Sequence, residues 1–165
     1  MTEQFGLSEV RGNLTVEQIE ADLLEYIENW SALPPRKDYC RNPGIPTFRN
    51  LQPRYGRQGV GQLTMYFTDH ANVILWRNLS QSLTQAITNL LVEGKIHWHV
   101  AFLGCYEEEG GPLPLPLADW PITEEYNTAH WLPVYFKPGP SCDNDRGCPN
   151  YTGIEEQEEE PFETT

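Results

Sequence analysis

The hydrophobic pattern of the chain changes its period at Gly94. Before this glycine, apolar residues recur every three or four positions and predict one helical stripe: Leu79, Leu83, Ala86, Ile87, Leu90 and Leu91. After it the chain alternates, with Ile96, Trp98, Val100 and Phe102 on one side and His97, His99, Ala101 and Leu103 on the other. We predict a helix over 79–93, capped by Asn78 and ended by Gly94, followed at once by a strand over 96–103.

The segment NLTVEQIEADLLEYIENW, residues 13–30, has the pattern of a second amphipathic helix. Thr15 and Gln18 have the spacing of a capping box, and Leu14 is placed to pack against Ile19. Its apolar residues recur at helical spacing, while four glutamates occupy the other side: Glu17, Glu20, Glu25 and Glu28. Since such a face repels DNA, we expect a scaffold helix or a contact for a basic protein.

Three further runs are typical of strands. QLTMYF and NVILW, separated by the four residues 68–71, predict an antiparallel hairpin. HWLPVYF, residues 130–136, predicts an edge strand because Pro133 has no backbone N–H to donate. The fold class is therefore α+β, with two main helices packed on a small antiparallel sheet. The alternative is a plain two-layer α+β sandwich.

The length of 165 residues fits one domain, which we place at 14–140. We expect a flexible N-terminus over 1–13 and a disordered acidic tail over 141–165, where GIEEQEEEPFETT has six glutamates and little to bury. Within the domain, the proline- and glycine-rich stretch 36–62 predicts an extended basic arm. A proline-rich insertion, 107–128, is expected to form a flap on the protein's own surface or a ligand for a proline-reading domain.

The charge balance limits the class of partner. With 24 acidic and 11 basic residues, the net charge is −13, which argues against a protein that mainly binds phosphate backbones. Six of the eleven bases nevertheless lie between residues 36 and 57 with one acid, either to grip an anionic partner or to balance nearby acids. The sequence shows neither a signal peptide nor a membrane-spanning run, so we expect a cytoplasmic protein with reduced thiols and no membrane partner.

His97 and His99 raise the question of a metal site, since alternation places both on one face of a strand. A third ligand from His130 or Cys105 would complete a site for a metal-dependent enzyme. The competing interpretation, which we favour, is a strand whose outer face carries two histidines, with no metal and no cofactor. Cys142 and Cys148 could pair or hold an ion. Catalytic motifs are otherwise lacking, and we expect no enzyme activity.

The order of elements from Thr15 to Phe136, above all NVILWRNLSQSLTQAITNLLVEGKIHWHVAFLGCY, resembles the winged-helix family of helix-turn-helix domains. This resemblance implies that 79–93 is the recognition helix and that 96–103 and 130–136 are the wing strands. Since residues 79–93 contain no Lys or Arg, the resemblance favours a protein-interaction module over a DNA-binding one.

Our first functional hypothesis is a non-enzymatic, regulatory module that binds another protein through its aromatic insertion and its arginines. A homodimer is a further option. The alternative is a DNA-binding transcriptional regulator, in which polar side chains of the helix read bases and arginines contact phosphates. The residues concerned are Gln81, Ser82, Gln85 and Asn89 for the bases, and Arg49, Arg54, Arg57 and Arg77 for the phosphates.

Overall fold

The computed structural model of the chain describes residues 13–33, 45–101, 106 and 113–141. Apart from residues 13 and 141, the predicted flexible N-terminus and acidic tail lie outside these ranges. The mixed α+β class is confirmed. The elements of the described part are, in order, α1 (Val16–Ser31), α2 (Phe48–Arg54), a 3-10 turn (Gly56–Gly59), β1 (Val60–Phe67), β2 (His70–Leu79), α3 (Gln81–Val92), β3 (Ile96–Val100), β4 (His130–Trp131) and β5 (Val134–Pro138).

Helix α1 begins with the predicted capping box. The Thr15 side chain accepts a hydrogen bond from the backbone N–H of Gln18 at 3.1 Å, and the Gln18 side chain accepts one from the N–H of Thr15 at 2.9 Å. Ile19, Leu23 and Ile27 are fully buried on the face that packs against α3 and β5. The apolar stripe therefore builds the core, as its spacing predicts.

Helix α2 corrects the prediction of an extended arm over 36–62. Thr47 caps this helix by accepting a hydrogen bond from the N–H of Asn50, and Phe48 and Leu51 are fully buried. Pro53 is tolerated in the last turn of this short helix. Burial of two large side chains on one face outweighs the helix-breaking signal of the surrounding prolines and glycines. The part of the predicted arm before residue 45 lies outside the described residues.

The strands form two small sheets. β1 and β2 are antiparallel, as predicted, but the turn between them is Thr68–Asp69, two residues shorter than the predicted loop. β4 pairs in parallel with β2, whereas β5 pairs antiparallel with β3, so the sheets have the orders β1-β2-β4 and β3-β5. The prediction of one antiparallel sheet and of an unbroken strand over 130–136 was wrong, because the chain passes between sheets at Leu132–Pro133.

The N-cap of helix α3 lies two residues later than predicted. Ser80, not Asn78, accepts the capping hydrogen bond, from the N–H of Leu83 at 3.0 Å. Asn78 instead has a left-handed backbone with φ of 60°. At the other end Gly94 has φ of 71°, and Lys95 donates its N–H to Leu90 at 2.9 Å, which closes the helix as predicted.

The described part of the insertion, residues 113–128, packs onto the domain. Ala118 donates its backbone N–H to the carbonyl of Trp131 at 2.8 Å, and Trp131 donates its own to Pro116 at 2.8 Å. The Trp120 ring lies 5.5 Å from that of Trp98. This segment therefore covers the outer edge of β4 and lies against the aromatic core, in the position of a flap on the protein's own surface.

Candidate functional site: a groove between two strand edges

A groove of about 520 Å³ lies between β1, α3 and β3. Its volume falls in the range of about 300–1,000 Å³ that is typical of ligand sites. We refer to it as the β1–β3 groove. It is lined by Thr64, Met65, Tyr66, Phe67 and Thr68 of β1 and its turn, by Leu75 of β2, by Thr84, Thr88, Leu91 and Val92 of α3, by Ile96, His97 and Trp98 of β3, and by Pro140.

Strands β1 and β3 each contribute consecutive residues to the lining of the groove, 64–67 with the following turn residue 68, and 96–98. In the described part of the chain, β1 is an edge strand of the first sheet and β3 is one of the two strands of the second. The edge of β4 is covered by 116–118, and that of β5 by Pro46, which accepts a hydrogen bond from Phe136 N–H at 3.0 Å. The groove thus lies beside two strands that are each at an edge of their sheet among the described residues.

The described lining of the groove contains no Asp, Glu, Lys or Arg. It does expose large apolar side chains: Tyr66 is 53% exposed and Val92 is 80% exposed. The strand VGQLTMYF also lacks the Lys or Pro residues by which natural proteins protect a free sheet edge. On a chain with a net charge of −13, such an uncharged, partly apolar surface is typical of an interaction site.

The two histidines of β3 are buried, which corrects their predicted place on an outer face. His97 is 5% exposed and His99 is 2% exposed, with Gly139 and Tyr135 among their neighbours. The Nε2 atoms of His97 and His99 are 2.9 Å apart, and Nδ1 of His97 lies 2.9 Å from the carbonyl oxygen of Gly139. The Tyr135 ring is tilted by 39° to the ring of His99, with 5.6 Å between their centroids. Their shared face is confirmed, but it points into the protein.

The other proposed metal ligands do not join this pair in the described part of the chain. His130 stacks on Tyr126 with 3.8 Å between ring centroids, and its Nδ1 lies 2.9 Å from the Thr128 carbonyl oxygen. Across the described ranges, no group of three His, Cys, Asp or Glu residues is arranged to hold a metal ion. Cys105, Cys142 and Cys148 lie outside those ranges.

Two of the arginines predicted to contact phosphates are held by the domain itself. Arg54 donates from Nε to Asp22 at 2.7 Å and lies over the Tyr26 ring at 4.6 Å. Tyr55 also donates to Asp22, at 2.6 Å; burial, followed by this hydrogen bond, raises the pKa of Tyr55 above its ordinary value. Arg49 lies over the Trp76 ring at 5.0 Å. Arg57 is exposed and Arg77 is half-buried.

The polar face of α3 lies beside the acidic face of α1. Gln85 donates to Asn89 at 2.8 Å, and Asn89 donates to Glu20 at 2.6 Å. Gln81 is exposed and Ser82 is half-buried on the same helix. All eight residues predicted for partner or nucleic-acid contact are described, and none of them lines the β1–β3 groove. Strand β1 contains no charged residue, and this sequence feature could have pointed to the groove.

Relationships to known proteins do not add to this description. The winged-helix resemblance stays a prediction, and α3, its expected recognition helix, directly follows strand β2 in the structure. Within the described ranges, no helix combines the length and the apolar character needed to cross a membrane. Comparison with protein-family models, curated proteins and solved structures finds no match to this chain.

Proposed function

We propose that this domain is a non-enzymatic interaction module that binds an extended segment of a partner protein in the β1–β3 groove. The observation that carries the proposal is that two strands, each at an edge of its sheet among the described residues, line one cavity whose described lining has no charged side chain. Such edges present backbone N–H and C=O groups, and a segment that adds to a sheet edge is bound through them. In this proposal the domain acts in the cytoplasm.

The lining of the groove indicates the chemistry of the bound segment. A charged side chain inside it would be desolvated against Met65, Leu91 and Ile96 without an opposite charge among the described lining residues. We therefore expect uncharged residues in the groove, with apolar ones at alternate positions to contact the side chains at its floor. In the parts of the partner that lie outside the groove, Lys or Arg residues would be attracted by this chain's net charge of −13.

A groove of this size supports weak and reversible binding. A single extended segment in one groove makes a small interface, and interfaces that bury less than about 1,200 Å² are typical of weak, transient contacts. Affinity then depends on backbone hydrogen bonds and on a few anchors such as Tyr66. This fits a regulatory contact better than a permanent complex.

DNA binding remains the alternative, with less support from the contacts. The carboxylate of Asp22 neutralises Arg54, and Glu20 places a negative charge beside Asn89 on the face that would meet the bases. If the alternative holds, the protein is retained on DNA at about 50 mM salt and released steeply as salt rises. If binding is to protein, DNA retention is weak at any salt concentration.

Site-specific cross-linking in the native host tests the proposal. A photoreactive amino acid replaces Tyr66 in the groove, and in a matched variant it replaces Leu117, which is apolar and 47% exposed but lies outside the groove. We expect the Tyr66 variant alone to form a nuclease-resistant product with another protein. Mass spectrometry should place the cross-links within one uncharged stretch of that protein.

Three results would contradict the proposal. Equal yields from both positions would show that the groove does not direct binding. Products with a second copy of this chain alone would indicate a homodimer instead. Products that disappear with nuclease would favour the DNA-binding alternative.

A further inference from the structure

We propose that Thr84 of α3 selects the segment bound in the β1–β3 groove, by a hydrogen bond to one uncharged polar side chain of that segment, a Ser, Thr, Asn or Gln. This inference rests on the function proposed above and gives the chemistry of one position in the partner. Thr84 lines the groove from the side of α3. Its hydrogen bond adds to the apolar contacts expected at other positions of the segment.

The hydroxyl group of Thr84 is buried without a hydrogen-bond partner. Its Oγ1 atom bonds to no atom of the described residues, and no other side chain in the described lining of the groove has a buried nitrogen or oxygen in this state. A buried hydroxyl that is left unpaired costs free energy, because it has lost its bonds with water. A polar group that enters the groove can restore the missing bond.

Helix α3 does not supply the bond that threonine commonly makes inside a helix. A threonine hydroxyl in a helix can donate to the carbonyl oxygen four residues earlier. For Thr84 that residue is Ser80, whose carbonyl oxygen accepts the backbone N–H of Thr84 at 3.0 Å but not its hydroxyl. The hydroxyl is therefore available to a group from outside the domain.

Thr84 lies on the face of α3 that borders the groove. Thr88 and Leu91 follow it at spacings of four and three residues, which places all three on one face of the helix, and all three line the groove. The Thr84 residue is half-buried. Because threonine in a helix populates two χ1 rotamers, rotation about one bond brings its hydroxyl to the groove without movement of the backbone.

The surroundings determine which side chain the hydroxyl selects. A hydroxyl can both donate and accept, so it pairs with another hydroxyl or with either end of a carboxamide. A carboxylate or an ammonium group would enter a lining that, among the described residues, has no opposite charge. An apolar side chain in the same place would leave the hydroxyl unpaired. An uncharged polar side chain is the remaining class.

Peptide selection on the full chain tests this inference. Short random peptides displayed on phage are selected on the immobilised native protein, and those that Tyr66→Lys fails to retain are taken as bound in the groove. We expect these peptides to carry Ser, Thr, Asn or Gln at one position, next to apolar residues. Thr84→Val replaces the hydroxyl by a methyl group of similar size, so selection on this variant should favour an apolar residue at that position.

The affinity of one selected peptide gives a second readout. Its Kd should rise about tenfold in Thr84→Val, as expected for the loss of one hydrogen bond. Thr84→Ser keeps the hydroxyl and should keep the preference for a polar residue. The matched control is Thr123→Val, a change at an exposed threonine outside the groove, which should alter neither the Kd nor the preference.

Thermal unfolding of the free variants separates an effect on the partner from an effect on the fold. Thr84→Val should unfold at the native temperature or above it, because it removes an unpaired buried hydroxyl. Thr47→Val removes the hydroxyl that caps α2 and should unfold at a lower temperature. Equal losses in the two variants would show that the Thr84 hydroxyl has a structural bond, and would overturn the inference.

The selection also distinguishes this inference from the proposed function. If no selected peptide depends on Tyr66, the proposed function fails and the role of Thr84 fails with it. If peptides depend on Tyr66 but share no polar position, the groove binds as proposed and the inference about Thr84 is wrong. The same holds if Thr84→Val selects the same polar residue as the native protein.

Discussion

Phe67 at the end of β1 packs edge-on against Trp98 of β3, with ring centroids 5.6 Å apart and ring planes at 88°. Trp120 from the insertion lies 6.0 Å from Phe67 and completes the cluster. Since β1 and β3 belong to different sheets, this contact joins the two sheets. Phe67 and Trp98 also both line the β1–β3 groove.

A double-mutant cycle should detect this contact as coupling. We expect Phe67→Leu and Trp98→Leu to lower the free energy of unfolding non-additively, with an interaction term of about 0.5–1.5 kcal/mol. Chemical unfolding of the two single variants, the double variant and the native protein gives this term. Additivity within about 0.3 kcal/mol would show that the two rings do not support each other.

Tyr106 should contribute to stability through its hydroxyl group. Its side chain is fully buried, donates to the Val134 carbonyl at 2.6 Å and accepts from the N–H of Phe48 at 3.3 Å. Tyr106→Phe leaves both backbone groups buried without this partner, which should cost about 1–3 kcal/mol in unfolding free energy. Tyr66→Phe removes a hydroxyl from an exposed ring and is the control, with an expected effect within about 0.5 kcal/mol. Equal effects would contradict the account of this bond.

The domain should lose stability above pH 10. Burial raises the pKa of both Tyr55 and Tyr106, so the folded state keeps these phenols protonated where the unfolded state ionises them. Their stabilising contribution is complete below pH 10, which is about the pKa of tyrosine in the unfolded state. It is lost as the pH rises from there toward the raised pKa values of the folded state. The loss is about 1.4 kcal/mol per pH unit for each tyrosine.

Unfolding free energies measured between pH 9 and pH 11 check the alkaline effect. Tyr106→Phe removes one of the two groups, so its slope above pH 10 should be about half of the native slope if the other groups contribute equally in both proteins. An identical slope in the variant would mean that Tyr106 ionises as readily in the folded state as in the unfolded one.

Capping of α3 by Ser80 gives a further prediction. Ser80→Ala removes the hydrogen bond to Leu83 and should lower the unfolding free energy by about 0.5–2 kcal/mol. Asn78→Gly should be neutral or stabilising, because residue 78 has φ of 60°, which glycine adopts without strain. Thermal unfolding of the two variants distinguishes the caps. A larger loss for Asn78→Gly than for Ser80→Ala would restore Asn78 as the cap.

The sequence predicts correctly those features of the fold that depend on residues close together in the chain. Thr15 and Gln18 lie three residues apart, and the position of Gly94 after the leucine stripe is a local helix end, so α1 and the close of α3 could be predicted correctly. The alternation after Gly94 likewise predicted the start of β3 at Ile96 and placed His97 and His99 on one face, although β3 ends at Val100 and not at the predicted residue 103. The fold class followed from these elements.

Features that depend on distant parts of the chain could not be predicted in this way. Helix α2 contains Pro53 and is stabilised by burial of Phe48 and Leu51, which local pattern does not reveal. The histidines are buried and contact Gly139 and Tyr135, some forty residues later in the chain. The β1–β3 groove also depends on the assembled fold, since its lining combines residues of two sheets and a helix.

Amide hydrogen exchange of β1 tests the central claim most directly. The partner segment identified by cross-linking at Tyr66 is added at saturation, and exchange is measured for the backbone N–H groups of residues 64–67. Strand addition predicts that amides at this edge and at 96–98 exchange more slowly, and that Tyr66→Lys or Val92→Lys removes the protection while Leu117→Lys does not. Unchanged exchange at both edges under saturating segment would contradict the assignment of the groove as the binding site.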